Sequence, residues 1–378
     1  MLNVIINGNS IEEMAKMPKN SIDLIFADPP YWMRISGTLH RVEGTEFDGC
    51  NDDWDQFNSL DDYKTFTYKW LSECYRILKP NGTICVIGGM QCIYTIGSIM
   101  QDIGFWFIND IIWNKKNPTP NFTGTRLNNS HETLIWATKS PKSKFTFNYK
   151  TAKELNNDTV SVEDFNKGIR KQLGSVWRIS ICSGNERLRN ENGEKLHSTQ
   201  KPEELLYRII AISTKLGDTV LDPFGGTMTT GAIAKQLGRN YIMIEQNKEY
   251  CKSGQERLEK ITFEDSPIAH AIFDKKPLKV SMEEMILANY FIENENFYFN
   301  DGKPIATLLS NGKLLFNNET IDMHSCAAKA KKLKAKRVNG FNHWYVIRND
   351  NLVLIDDIRK QYRKDKELKE MRNNENGN

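Results

Sequence analysis

The chain has 378 residues, 39% hydrophobic and 26% charged, an ordinary balance for a soluble globular protein large enough to hold two domains. No apolar stretch approaches the length of a bilayer span, and the N-terminus lacks the basic stretch and long apolar run of a signal peptide. The seven cysteines are odd in number and form no CxxC pair, which argues against a disulfide framework, a zinc ribbon or any other metal site, and predicts reduced thiols in a cytoplasmic protein. A net charge of +3 does not by itself announce a nucleic-acid partner.

In chain order, the pattern predicts a short N-terminal strand, then a helix opened by Ser10 with Glu13 three residues on, a capping-box spacing. Pro18 closes that helix. The run Ile22 to Ala27 reads as a strand buried on both faces, stopped at Asp28 by Pro29 and Pro30. Residues 32 to 58, with Gly37, Gly44 and Gly49, read as a mobile loop. An amphipathic helix follows from Asp61 to Leu78, ended by Lys79-Pro80-Asn81-Gly82. A strand over Thr83–Gly88 comes next, and two further strands lie around 111–113 and 133–137. Periodicity weakens from 114 to 196. Order returns with a helix over 202–215, a strand ending at Asp222, a glycine turn over 223–226, a helix reaching Leu237, and a strand ending at Glu245. This alternation predicts an α/β fold, a doubly wound, mostly parallel sheet with a small C-terminal α+β domain. The expected boundaries are a catalytic domain over 1–262, a linker over 263–280, a C-terminal domain over 281–363 and a disordered tail over 364–378.

Ligands of open parallel sheets bind beyond the carboxyl ends of the strands, and three acids occupy such ends: Asp28, Asp222 and Glu245. Strand, tight glycine turn, helix, strand and a terminal acid make a nucleoside-binding unit, with Glu245 placed for both ribose hydroxyls. The turn lacks GxGxxG, so a dinucleotide fits it poorly. Asp28-Pro29-Pro30-Tyr31 adds chemistry to that unit. The amine of a nucleobase is a poor nucleophile because its lone pair is delocalised into the ring. Acceptors on both of its N–H bonds, the Asp28 carboxylate and the Pro29 carbonyl, favour a pyramidal nitrogen. Tyr31 offers a face for stacking an extruded base, worth ~1–3 kcal/mol against a flipping cost of a few kcal/mol.

Asp28 to Tyr31 resembles the catalytic motif of amino-methyltransferases. His197-Ser198-Thr199-Gln200-Lys201-Pro202 and Asp222-Pro223-Phe224-Gly225-Gly226-Thr227 resemble the cofactor motifs of the β-class DNA methyltransferases, in which the catalytic motif comes first, as here. Asn117-Pro118-Thr119-Pro120-Asn121-Phe122, His131-Glu132-Thr133 and Asn339-Gly340-Phe341-Asn342-His343-Trp344-Tyr345 extend the likeness to the HinfI-type and cell-cycle-regulated enzymes that methylate adenine in GANTC. The resemblance implies a Rossmann-like fold with permuted motif order, an S-adenosyl-L-methionine cofactor, adenine N6 as methyl acceptor and double-stranded DNA as partner, and leaves room for a homodimer and a cognate restriction endonuclease. It implies that Asp28 and Tyr31 handle the adenine and that Lys201 pairs with the cofactor's carboxylate. Phe224, Gly226 and Thr227 would line the cofactor pocket, and Glu245 would hold the ribose. Residues 114–196 would carry target recognition, with Asn117, Arg126 and His131 as candidates, arginine being the usual reader of guanine edges.

The basic run from Lys329 to Arg337, with Lys331, Lys332 and Lys334, keeps two readings open. It is either a solvated helix face or a phosphate-contacting patch beside Asn339, Phe341, Trp344 and Tyr345. Two positions depart from the family pattern. Met228 stands where relatives usually carry glycine, and its side chain is expected to crowd the cofactor or to force a different turn. Asn9 stands where an aspartate often contacts the cofactor's adenine. Methylation of cytosine N4 is the nearest rival activity, though it more often accompanies serine at position 28, and a DNA-binding protein with lost activity is the rival from another class. With no Pro-Cys dipeptide in the chain, a cysteine nucleophile is not expected.

Overall fold

The structure, a computed structural model, describes residues 2–33, 39–40, 46–47, 55–121, 124–156, 161, 163, 166, 168–189, 193, 196–197 and 199–375. Most of the expected 32–58 loop, with Gly37, Gly44 and Gly49, lies outside the described residues, as do Phe122, Ser198 and the last three residues of the expected tail. The described chain divides after Lys275 into two compact units.

The first unit contains β1 (Val4–Asn7), α1 (Ser10–Ala15), β2 (Ile22–Ala27), a small antiparallel pair β3 (Leu39–His40) and β4 (Glu46–Phe47), α2 (Leu60–Ile77), β5 (Leu78–Gly88), α3 (Ile93–Ile103), β6 (Trp106–Lys115), β7 (His131–Thr138), α4 (Tyr149–Glu154), β8 (Val176–Ile179), α5 (Glu203–Ser213), β9 (Thr219–Asp222), α6 (Thr229–Gln236), β10 (Asn240–Glu245) and α7 (Lys248–Lys260). Eight strands form one sheet in the order β1-β10-β9-β2-β5-β7-β6-β8. β7 runs antiparallel to both of its neighbours, and the other described pairings in this sheet are parallel. Alternation along β2 builds two cores: Leu24 and Phe26 pack on the face that carries α5 and α6, and Ile25 and Ala27 on the face that carries α2 and α3. Both faces being covered explains why β2 reads as a continuous apolar run.

Several elements differ from expectation. The N-cap of α1 is Asn9 rather than Ser10; its side-chain oxygen accepts from the amides of Ile11 and Glu12 at 3.0 and 3.3 Å. Lys79 to Gly82 does not separate helix from strand, because β5 begins directly at Leu78 and its pairing with β2 slips between Ile22 and Leu24. Glycine is required at 82: a Cβ there would stand 2.9 Å from the carbonyl oxygens of Ile22 and Asp23. The 114–196 stretch, where periodicity weakens, supplies the end of β6, β7 and β8 to the sheet, with Trp136 and Trp177 in the core. The first part of the expected linker folds onto the catalytic unit, where Asp274 accepts the amides of Lys150 and Thr151 at 2.7 and 2.9 Å.

The second unit holds α8 (Met282–Leu287), an antiparallel six-stranded sheet of β11 (Asn296–Tyr298), β12 (Pro304–Leu308), β13 (Leu314–Phe316), β14 (Glu319–Ile321), β15 (Tyr345–Arg348) and β16 (Asn351–Leu354), α9 (Met323–Ala330) between β14 and β15, and α10 (Ile355–Glu375). Residues 364–375 of the tail expected to be disordered are the second half of α10. Asp356 with Arg359 and Lys360, and Gln361 with Asp365, pair at helical spacing, and Lys366 reaches Glu284 at 3.0 Å. Charges of alternating sign at i, i+3 and i, i+4 stabilise a helix where composition alone reads as disorder.

Candidate active site

The strand order places β10, β9 and β2 side by side, so Glu245, Asp222 and Asp28 stand at three adjacent strand ends. They line one cavity of about 1680 Å³ together with Phe224, Gly226, Thr227, Lys201, Pro29, Pro30 and Tyr31. The sequence expectation of a shared strand-end site therefore corresponds to one continuous space.

The β9–β10 half is closed by its own turn. Gly225 donates to the Ile244 carbonyl at 2.8 Å, and Gly226, at φ 50°, donates to Glu245 Oε2 at 2.8 Å. The Asn247 amide takes Glu245 Oε1 at 2.8 Å. Each carboxylate oxygen keeps a second lone pair, so Glu245 can still accept from a diol. Burial pushes its pKa up, against the pull of these backbone donors. Asp222 is buried more deeply: Oδ1 accepts the Phe224 amide at 3.0 Å and Oδ2 the Thr230 hydroxyl at 2.6 Å. Burial brings its pKa to about 7. Asp222 thus ties the turn to α6, as a buried cap would.

Met228 takes φ 60°, a left-handed conformation that glycine adopts without strain, in keeping with the glycine expected there. Its side chain does not crowd the cavity. It is fully buried and fills the space left by Gly254 of α7, where a Cβ would lie 2.2 Å from Met228 Cγ. Asn9 also departs from expectation. Both lone pairs of its amide oxygen are taken by the α1 amides, and the cavity wall at this point is made by Gly8 and Ser10.

The β2 half is assembled from distant segments. Lys201 Nζ lies 2.7 Å from Asp28 Oδ2 and 3.2 Å from the Thr199 carbonyl, over the Tyr31 ring at 5.2 Å. In the structure its ammonium is thus held on Asp28, with one of its three N–H donors left for the expected cofactor carboxylate. The Tyr31 hydroxyl donates to Glu132 Oε2 at 3.0 Å, and Lys115 Nζ donates to Glu132 Oε1 at 2.6 Å. Burial raises the Asp28 pKa, and Lys201 offsets part of that rise. Glu132 ends below its usual range: burial pushes it up, but Lys201 and Lys115 together override that. Asp28 Oδ1 is buried with no hydrogen-bond partner among the described residues. An orphaned carboxylate oxygen in a cavity is an acceptor placed for an incoming N–H donor.

Sequence reasoning missed three of these neighbours. Glu132 and Lys115 belong to the buried network just described. Asp55 accepts the amides of Trp32 and Met33 at 2.6 and 2.7 Å, holding Trp32 at φ 52° directly after Tyr31. A signal existed for Glu132, an acid at the start of a buried strand; Asp55 carried none.

The expected DNA contacts divide. Arg126 and His131 are exposed and line the cavity, Arg126 bonded to Asn129 at 3.0 Å. Asn117 is exposed, and its side-chain oxygen braces the Ile181 amide at 2.9 Å. In the second unit, Trp344 is not a DNA-facing aromatic. It is fully buried, stacked on Phe299 at 4.7 Å, and its indole donates to the Met323 carbonyl at 2.9 Å. Phe341 is also core. The motif around them packs against α9, where a Cβ on Gly340 would meet Met323 O at 2.7 Å. Lys331, Lys332, Lys334 and Asn339 are exposed, on an irregular segment rather than a helix face. Lys331 lies 3.1 Å from His343 Nδ1, and Asn339 bonds Asn342 at 3.1 Å. No carboxylate lies within ion-pair distance of Lys332 or Lys334 among the described residues.

The family model for DNA methylases of the N6/N4 type matches residues 22–256. Type II methyltransferase M.HinfI of Haemophilus influenzae is 46% identical over 96% of this chain and 97% of its own length. Type II methyltransferase M2.DpnII of Streptococcus pneumoniae is 38% identical over 68% of this chain and 89% of its own. Among solved structures, the PvuII cytosine-N4-specific DNA methyltransferase superposes with a TM-score of 0.51 at 19% identity, over 71% of this chain and 90% of that one, and so shares the fold. No helix among the described residues is long and apolar enough to cross a membrane. The residues present fit S-adenosylmethionine: the turn over 223–226 and Glu245 would hold its nucleoside, in the cavity that Asp28 also lines. The chain belongs to the N6/N4 DNA methylase family, S-adenosylmethionine-dependent enzymes acting on double-stranded DNA, and within it to the adenine-N6 methyltransferases.

Proposed function

We propose that this adenine-N6 methyltransferase modifies the adenine of GANTC, with Asp28 to Tyr31 holding the extruded base. One observation carries the assignment of the segment: the buried Oδ1 of Asp28, without a partner among the described residues, in the cavity that the Glu245 turn also lines. In this reading Asp28 Oδ1 accepts one N6–H bond and the Pro29 carbonyl the other, which draws nitrogen lone-pair density out of the ring. Tyr31 stacks the base. Lys201 keeps Asp28 ionised, and hence an acceptor, through the 2.7 Å pair. Bound S-adenosylmethionine supplies an electrophilic methyl group, held with the aid of Glu245, Phe224, Gly226 and Thr227. Arg126 and His131, at the cavity wall, are the proposed readers of the target. Lys331, Lys332 and Lys334 are the proposed phosphate contacts.

The GANTC assignment is supported by the end-to-end likeness to M.HinfI, which takes in the C-terminal unit as well as the catalytic one. Both curated relatives are Type II methyltransferases, which supports a role as the protective partner of a restriction endonuclease. Six described cysteines are free thiols, in keeping with a cytoplasmic site of action. Transfer of labelled methyl to duplexes with and without GANTC, followed by nucleoside analysis, tests the reading. N6-methyladenine confined to GANTC duplexes is expected; N4-methylcytosine, or label independent of GANTC, overturns it.

A further inference from the structure

Tyr31 needs only its ring to stack a base, yet its hydroxyl is tied into a buried ion cluster. The acceptor, Glu132, comes from another strand 101 positions away. Glu132 and Lys115 are only 14% and 15% exposed, so their 2.6 Å pair is not a solvent-screened surface contact. Lys115 ends β6 and Glu132 is the second residue of β7, where Trp113 pairs with Glu132 and Asn114 with His131. The Lys115 amide also donates to the Ser130 carbonyl at 2.8 Å. The ion pair therefore closes the base of the 116–130 connection, which carries Arg126 into the cavity wall.

We infer that Glu132 is a positioning residue for the target base, fixing the Tyr31 ring through its hydroxyl and coupling that ring, through Lys115, to the 116–130 connection. The inference rests on Asp28 to Tyr31 being the base-holding segment. A stacking ring free to swing would leave the acceptor nitrogen displaced from Asp28, and displacements near 1 Å cost methyl-transfer-type reactions up to ~10²-fold. Glu132 also stays anionic beside Asp28 because two lysines share its charge, so it serves the site as a fixed anchor.

The test is a double-mutant cycle on the full-length enzyme with a GANTC duplex, reading single-turnover rate and the dissociation constants for DNA and S-adenosylmethionine. Glu132→Ala is expected to slow transfer at least ~10-fold while cofactor affinity stays within about twofold. Glu132→Gln, whose amide oxygen still accepts from the phenol, recovers most of that rate. Tyr31→Phe, which removes one oxygen and keeps the ring, slows transfer by a similar factor, and adding Glu132→Ala to it costs no more than about a further twofold. A silent Tyr31→Phe, multiplying effects in the double variant, or equal loss of cofactor binding and rate would overturn the inference. If Glu132→Ala does not fold, the Tyr31→Phe and Glu132→Gln results decide it alone. A wild-type enzyme that puts no N6-methyladenine in GANTC sinks the functional reading instead, and is seen before any variant is made.

Discussion

The two halves of the cavity are built in opposite ways. On the donor side, the turn between β9 and α6 binds its own acids: Asp222 is capped by Phe224 and Thr230, and Glu245 by Gly226 and Asn247, each partner within 19 positions of its acid. On the acceptor side, Asp28 meets Lys201 across 173 positions and Tyr31 meets Glu132 across 101. One acceptor oxygen, Asp28 Oδ1, has no partner among the described residues. A local turn forms a binding cradle that is complete in itself. The Asp28 half keeps one acceptor oxygen open among the described residues, and its charges are held by the tertiary fold.

If that contrast is right, substitutions on the two sides separate by the parameter they disturb. Asp28→Ala is expected to lower turnover by at least ~10²-fold with cofactor binding retained, because it removes an acceptor oriented by the protein. Calorimetric titration of cofactor beside single-turnover rates checks this, and parallel losses would place Asp28 in the donor half. The pH dependence has a definite sign. Burial raises the Asp28 pKa, and the carboxylate is a stronger acceptor for N6–H than the protonated acid, so the transfer rate falls with acidification at a higher pH than an ordinary aspartate would give. Glu245→Ala should act the other way round. It strips the amides of Gly226 and Asn247 of their partner, worth ~1–3 kcal/mol, and weakens cofactor affinity by about 10-fold or more with a smaller effect on the rate at saturation.

The same contrast explains what was legible in the sequence. Strand ends, glycine turns and the acids at their termini are local patterns, and the β2, β9 and β10 ends lie where those patterns put them. Glu132 was visible only as an acid in a motif at a strand start, and Lys115 and Asp55 not at all; nothing near any of the three in sequence marks it as a neighbour of the Tyr31 segment. Lys201 was visible as a motif residue, but its partner was not. Trp344 misled for the opposite reason: a basic run beside aromatics matches a nucleic-acid patch, whereas the aromatics of this unit are its hydrophobic core. The charged tail misled because composition does not show that residues 364–375 continue a helix whose preceding turns pair opposite charges at helical spacing.

Met228 sharpens the contrast from the donor side, since its positive φ and its buried side chain make opposite demands. Met228→Ala should destabilise the fold by ~2–5 kcal/mol, as for a methionine truncated in a core. Gly254→Ala should cost ~1–3 kcal/mol through overpacking against Met228 Cγ. Combined, the two changes should cost less than their sum by more than ~0.5 kcal/mol, because each relieves what the other creates. Urea denaturation measures all three. Strict additivity would show that Met228 and Gly254 do not share one space.

The smallest effect belongs to the basic segment after α9. Lys332 and Lys334 have no carboxylate within reach among the described residues, and Lys331 faces a histidine, so their charge is available to an anionic partner. Each phosphate neutralised by such a lysine adds ~0.9 to the slope of log affinity against log salt. Replacing Lys331, Lys332 and Lys334 with glutamine should flatten that slope by up to about 3 and weaken binding to GANTC and non-GANTC duplexes alike. The transfer rate at saturating DNA should hold, since none of the three belongs to the catalytic unit. An unchanged slope would make the segment a solvated surface. A loss confined to GANTC duplexes would instead mean that these lysines read bases, and that recognition is not restricted to the residues at the cavity wall.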